Sequence, residues 1–223
     1  MTSPVADVLD KRRQPRQQRS RAKVDAILDA ADALVTTSEI DLLTTTLIAA
    51  RAGIAVGSVY RYFDGVPAVV EALAARHAER FASFLRADLD EQPLHRKRDA
   101  ANVALDALID YYRANAGFRG LWRAAPRVTG AGFFDASETL MAIVVDALVD
   151  RGLIDEIDEL DEDLVRETQV QWAIAAALIQ VAFSRAPEGD PAVLAHLRRC
   201  FELDVLAVPD APARATRRWT ARA

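Results

Sequence analysis

The chain has a single cysteine, nine glycines and only 7% aromatic residues. A lone Cys200 cannot close an internal disulfide, which excludes a disulfide-stapled scaffold and fits a reducing compartment. Packing as a small apolar residue is its expected use, with a redox role left open. No run approaches the ~18 apolar residues of a membrane-spanning helix. The N-terminus, with Pro4, Asp7 and Asp10 ahead of a basic stretch, has no apolar core of a secretion signal, so a cytoplasmic, membrane-free protein is expected. His77, His95 and His196 are scattered without a Glu-x-x-His spacing, which argues against a di-iron bundle. No nucleophile–base pair, phosphate loop or metal-ligand spacing stands out, so the expectation is no enzyme, no cofactor and no metal. The acidic run Asp155–Asp163 has seven acids in nine residues, and such runs are usually solvated.

What the chain does have is alanine, arginine and apolar residues at helical spacing, with 51% hydrophobic residues over 223 positions. That is enough for one large or two modest domains with a real core. Helix formers dominate and strand-like alternation never lasts, so the fold class is all-α. The net charge of −5 is unevenly spread. Residues 1–65 carry nine basic and eight acidic side chains, so +1, and the remainder carries −6. Seven Lys/Arg and no acid lie between Lys11 and Lys23. An acidic body behind a basic arm would orient the arm toward phosphate, although a solvated tail would have the same composition.

The arm leads to the stretch around which the chain is organised, Thr44–Phe63, TTTLIAARAGIAVGSVYRYF. Ile48, Ala49 and Ala52 give a first short helix an inner face, and Gly53 ends it where a left-handed residue is needed. Two helices crossing steeply at close range need a small residue at the contact, which Ala49 supplies, and Val59 fills the wedge between them. Thr44 is the expected N-cap. This is the spacing of a DNA-reading helix-turn-helix. A helical hairpin in an ordinary bundle would show the same spacing, and the basic arm and the Tyr60-Arg61-Tyr62-Phe63 sequence favour the first reading.

With the arm, the amphipathic helix before it and this Gly-Ser-Val-Tyr-Arg-Tyr-Phe sequence, residues from about Arg19 to Ala72 resemble the DNA-binding head of the tetracycline-repressor-like (TetR) regulators. The resemblance covers about a quarter of the chain. It implies an N-terminal three-helix head over residues 19–65, preceded by a disordered basic arm at 1–18. A helical ligand-binding and dimerisation bundle over 66–208 and a disordered tail at 209–223 complete the expected organisation. The chemistry of the head assigns its contacts. Thr44, Thr45 and Thr46 at a helix start suit phosphate oxygens. Gly57 lets the backbone approach DNA. Ser58 and Arg61 are placed for base edges, Arg61 for guanine O6/N7. Tyr60 and Tyr62 resemble the family's phosphate contacts, and Arg16, Arg19 and Arg21 are expected at a minor groove or the backbone. Three departures stand out: a loop at Thr37–Leu43 without the usual glycine, Ala55 where a capping Ser or Thr is common, and Val56 and Val66 where basic residues are frequent.

Helix one is expected over Ser20–Thr36, its stripe made by Val24, Ile27, Leu28, Ala31, Leu34 and Val35. Beyond the head, helices are expected from Pro67 to about Asp90, Lys97 to Asn115, Phe118 to Ala124, after an Asp135/Glu138 capping box to Arg151, Glu162 to Ala186, and Pro191 to Val208. Apolar residues surround the Glu162–Ala186 helix, which must then be covered on every side. Leu178, Val181, Leu194, Leu197 and Phe201 are the candidate homodimer interface that the resemblance implies. Phe84, Tyr111, Tyr112, Phe118, Trp122, Arg123 and Trp172 are candidates for a small-molecule effector pocket, with plain core packing the competing reading of each aromatic. The expected function is a sequence-specific regulator of transcription, a repressor released from palindromic double-stranded DNA by an effector. The alternative is a helical ligand-binding module whose head has weak or lost DNA affinity.

Overall fold

The computed structural model describes residues 4–37, 40–124, 136–153, 162–184 and 186–205, with side chains described from residue 18 onward except at positions 37, 97, 124, 136–139, 141, 162–169, 171–172 and 201–205. Among them all regular structure is helical. The α-helices are α1 (Pro4–Thr37), α2 (Thr45–Ala52), α3 (Val56–Tyr60), α4 (Gly65–Glu91), α5 (Lys97–Ala114), α6 (Ala116–Ala124), α7 (Ala136–Asp150), α8 (Glu162–Ala182) and α9 (Pro191–Val205), and a single 3-10 turn spans Ile40–Leu42. No helix of the described residues is long and apolar enough to cross a membrane.

Contacts divide the chain into two units, the first made of Met1–His77 with Ala116–Gly130 and the second of Ala78–Asn115 with Ala131–Ala223. The expected border at 65/66 thus differs from the contact border inside α4, because the first turns of α4 and all of α6 pack with the head. A second difference lies at the start. Helix one was expected from Ser20, but α1 begins at Pro4 and runs through the arm. Pro4 sits at the first helical position, where its missing N–H costs nothing, and the Arg, Gln and Lys that follow are good helix formers.

In the first unit the predicted stripe of α1 is the wall of the core. Ile27, Leu28, Ala31 and Val35 are buried, with Val24 and Leu34 half-buried beside them. They meet Ile48 and Ala49 of α2, Val59 of α3, Val69, Val70 and Leu73 of α4, and Leu121 of α6. Each fully buried aliphatic contributes about 1.5–3 kcal/mol relative to exposure. α6 lies unusually close to α1. A Cβ built on Gly120 would stand 2.2 Å from the Val35 carbonyl oxygen, and one on Gly117 would strike Asp32. Two glycines in a nine-residue helix cost roughly 1 kcal/mol each against alanine, so the close approach must offset that.

Polar contacts tie the same three helices together. His77, 1% exposed, pairs through Nε2 with Asp32 Oδ1 at 2.9 Å. An ionised carboxylate only accepts, so His77 Nε2–H is the donor. Arg76 donates to Asp29 Oδ1 at 2.6 Å and faces Asp32 Oδ2 at 3.8 Å. The His77 ring also packs against Phe118 of α6, 5.6 Å between centroids.

The second unit centres on α5, whose Leu105, Leu108, Ile109, Tyr111 and Tyr112 are buried. Its first turn is held by Asp99, which accepts from the backbone N–H groups of His95 and Arg96 at 2.9 and 2.8 Å. α9 packs on α5 and α8. α8 is two-faced. Ala175, Ile179 and Ala182 are buried, whereas Val170 and Val181, three turns apart on another face, are 54% and 57% exposed, with Ile174 and Leu178 half-buried between them.

Candidate nucleic-acid interface

The helix-turn-helix forms for the reasons its spacing suggests. Thr44 is the N-cap of α2, its hydroxyl accepting from the Leu47 N–H at 3.2 Å. Gly53 caps the C-terminus with φ of 67°, in the left-handed region. Its N–H and that of Ile54 close the turn onto the carbonyls of Ala50 and Ala49 at 3.3 and 3.0 Å. Ala55 stands at the N-cap of α3 and gives it no side-chain cap, as the sequence suggests. Val59 is fully buried and pins α3 to the core. Val56 and Val66, which replace frequent basic residues, are half-buried against the same core. Positions facing inward have no use for charge.

What remains on the outside is the predicted reading surface. Thr44, Thr46, Gly57, Tyr60 and Arg61 are exposed, and Thr45, Ser58 and Tyr62 are half-buried. Nothing in the protein lies within 4 Å of a Cβ built on Gly57, so no internal contact demands a glycine there. Tyr60 is 59% exposed, and its hydroxyl lies 3.1 Å from Thr45 Oγ1, linking the outer faces of α3 and α2. An exposed tyrosine with one polar tie is placed for outside contact, since it contributes little to the core.

Arg61 packs on its neighbour. Its guanidinium lies over the Tyr62 ring, 5.1 Å from the centroid, and its Nη2 donates to the Tyr62 hydroxyl at 3.0 Å. Such a stacked cation at an exposed site gains about 0.5–1 kcal/mol. Arg61 is therefore folded toward α1 and not extended as a base-reading side chain would be. Hydrogen bonds from Ser20 and then Arg61 to the phenol oxygen, with the positive charge of Arg61 and Lys23 nearby, hold the Tyr62 pKa below its usual value against a smaller desolvation effect. Arg19, Ser20, Lys23, Arg61 and Tyr62 line an open cleft of about 360 Å³. Arg19 is among the sequence's candidate contacts to a minor groove or the backbone, but Ser20 and Lys23 are not. The clue was available: residues 19, 20 and 23 share one face of a helix. Arg21 is exposed outside this cleft, and the side chain of Arg16 lies outside the described residues.

The other candidate residues divide between the two units. Phe118 and Trp122 are buried in the first unit, 5.3 Å apart, with Arg123 exposed on the same helix. In the second unit, Tyr111 packs against Phe81 and Phe84 at 5.4 and 6.0 Å, and Tyr112 against Phe183 at 4.7 Å. Leu194 and Leu197, expected at a dimer interface, are instead 2% and 0% exposed in the single chain, because α5 and α8 cover that face of α9. Val181 is exposed and Leu178 half-buried. The side chains of Trp172 and Phe201, the Asp155–Asp163 run up to Asp161, the Asp135 cap and the tail lie outside the described residues.

Comparison with known proteins agrees with this geometry. Residues 27–73 match the model of the bacterial regulatory proteins of the tetR family. Comparison with curated proteins gives no match. Among solved structures, a TetR-family transcriptional regulator from Streptomyces coelicolor is similar at 28% identity and a TM-score of 0.69, covering 85% of this chain and 99% of its own. FadR from Bacillus subtilis, in complex with stearoyl-CoA, shares the fold at 17% identity and a TM-score of 0.59, covering 81% and 96%. SmeT, the repressor of the Stenotrophomonas maltophilia multidrug efflux pump SmeDEF, does so at 19% and 0.56, covering 82% and 89%. The chain thus carries a head that matches the tetR-family model over residues 27–73, and over most of its length it is similar to a TetR-family transcriptional regulator.

Proposed function

We propose that the chain acts as a homodimeric repressor, binding palindromic double-stranded DNA through Thr44–Tyr62 and leaving it when a small-molecule effector binds. The head at residues 19–65 reads DNA, and the bundle at 66–208 pairs two copies and takes up the effector. The observation that carries this is the sealed core beneath α2 and α3 with Gly57, Tyr60 and the three threonines left outside it. Two recognition helices related by a two-fold axis would meet major-groove half-sites about one turn apart. The exposed Val170–Val181 face of α8, with Leu178, supports a second copy as its cover, since a soluble helix rarely leaves such a stripe bare. The stearoyl-CoA bound to FadR and the repressor role of SmeT support effector control and repression as expectations for this chain. A head without DNA affinity is less well supported, because Val56 and Val66 face inward.

The test is a gel shift with the DNA upstream of the protein's own coding sequence. Tyr60→Ala is expected to weaken binding about tenfold with fold and dimer mass unchanged, the loss of one good contact being of order 1.4 kcal/mol. Unchanged affinity in that variant would remove α3 from the reading surface.

A further inference from the structure

The cleft between α1 and the end of α3 holds three cationic side chains and two hydroxyls, and no acid among the described residues lines it. Arg19, Ser20 and Lys23 recur on one face of α1, while Arg61 and Tyr62 close the cleft from the other side. Arg61 is anchored there twice, over the Tyr62 ring and through the Tyr62 hydroxyl. To reach a base edge it would have to surrender both contacts. An open site built of Arg, Lys and hydroxyl donors has the chemistry of an oxyanion seat, and open geometry suits an anion that belongs to a long polymer.

We propose that this cleft seats one backbone phosphate of the DNA, and that Arg61 contributes charge to that seat instead of reading a base. The proposal rests on the DNA-binding reading above and deepens it. It adds Ser20 and Lys23 to the interface and changes the role of Arg61 from discrimination to affinity. Phosphate contacts fix register and carry no sequence information, so their removal acts equally on every sequence. Each phosphate neutralised also steepens the salt dependence by about 0.9 in the slope of log K against log salt.

The experiment is fluorescence anisotropy over a salt series with two duplexes, the region upstream of the coding sequence and a scrambled version of it. Arg61→Ala and Lys23→Gln are each expected to weaken both duplexes by the same factor, about tenfold, and to flatten the slope by about one per protomer. Arg61→Lys should recover most of the lost affinity, which a folding defect would not permit. If Arg61→Ala changes the preference between the duplexes, or leaves the salt slope untouched, the phosphate seat is wrong while DNA binding stands. If the wild type binds neither duplex, both the seat and the DNA-binding reading fall.

Discussion

Gly120→Val is expected to destabilise the first unit by roughly 2–3 kcal/mol, the upper range for overpacking a well-filled contact. The obstacle is backbone. An added Cβ would meet the Val35 carbonyl oxygen at 2.2 Å and its carbonyl carbon at 2.9 Å, and neither can rotate away as a side-chain tip would. Helix propensity works in the other direction but is smaller, at most ~1 kcal/mol for replacing a glycine. Sterics therefore wins, and the melting temperature should fall by roughly 5–10 °C in a chain of this size. Gly57→Ala is the control. A Cβ there meets nothing, so its melting temperature should stay level or rise slightly. Equal melting of Gly120→Val and wild type would mean that α6 does not sit on α1 as described.

The second large effect is expected at Asp32. Asp32→Ala deprives buried His77 of the acceptor 2.9 Å away and leaves Arg76 with Asp29 as its acid partner among the ion pairs described. Losing one side of a largely buried polar pair costs about 2–3 kcal/mol, because the partner stays desolvated. Asp29 is 68% exposed and so compensates little. Asp32→Asn keeps an acceptor for His77 Nε2–H and loses only the charge, so its cost should be less than half as large. Urea unfolding of the two variants measures both numbers. Equal losses would show that the charge, and not the hydrogen bond, carries the interaction.

The part of the fold legible in the sequence was the part encoded locally. Thr44 as cap, Gly53 as left-handed stop, Ala49 and Val59 as contact residues and Ala55 as a missing cap all follow from spacings under a dozen residues. The stripe of α1 was legible for the same reason. The Asp32–His77 pair bridges 45 residues, and the approach of Gly120 to Val35 spans more, so no periodicity announces either. Two glycines one turn apart in a nine-residue helix were the only hint of the second. Leu194 and Leu197 show a related limit. A stripe says that a face is covered, but not whether the chain's own helices or a second copy cover it. Phe118 and Tyr111 likewise look alike in sequence yet pack in different units. In the candidate interface, residue types pointed to positions that are exposed on α2 and α3, but not to their rotamers. Arg61 has the right chemistry for guanine, and its side chain lies over the Tyr62 ring.

Analytical ultracentrifugation of the wild type with the duplex upstream of its coding sequence, at several salt concentrations, bears most directly on the account. Two protomers, or an even multiple, should travel with each duplex, in preference to a scrambled sequence, and salt should dissociate them steeply. A strictly monomeric chain, or one that takes up both sequences equally, would contradict it.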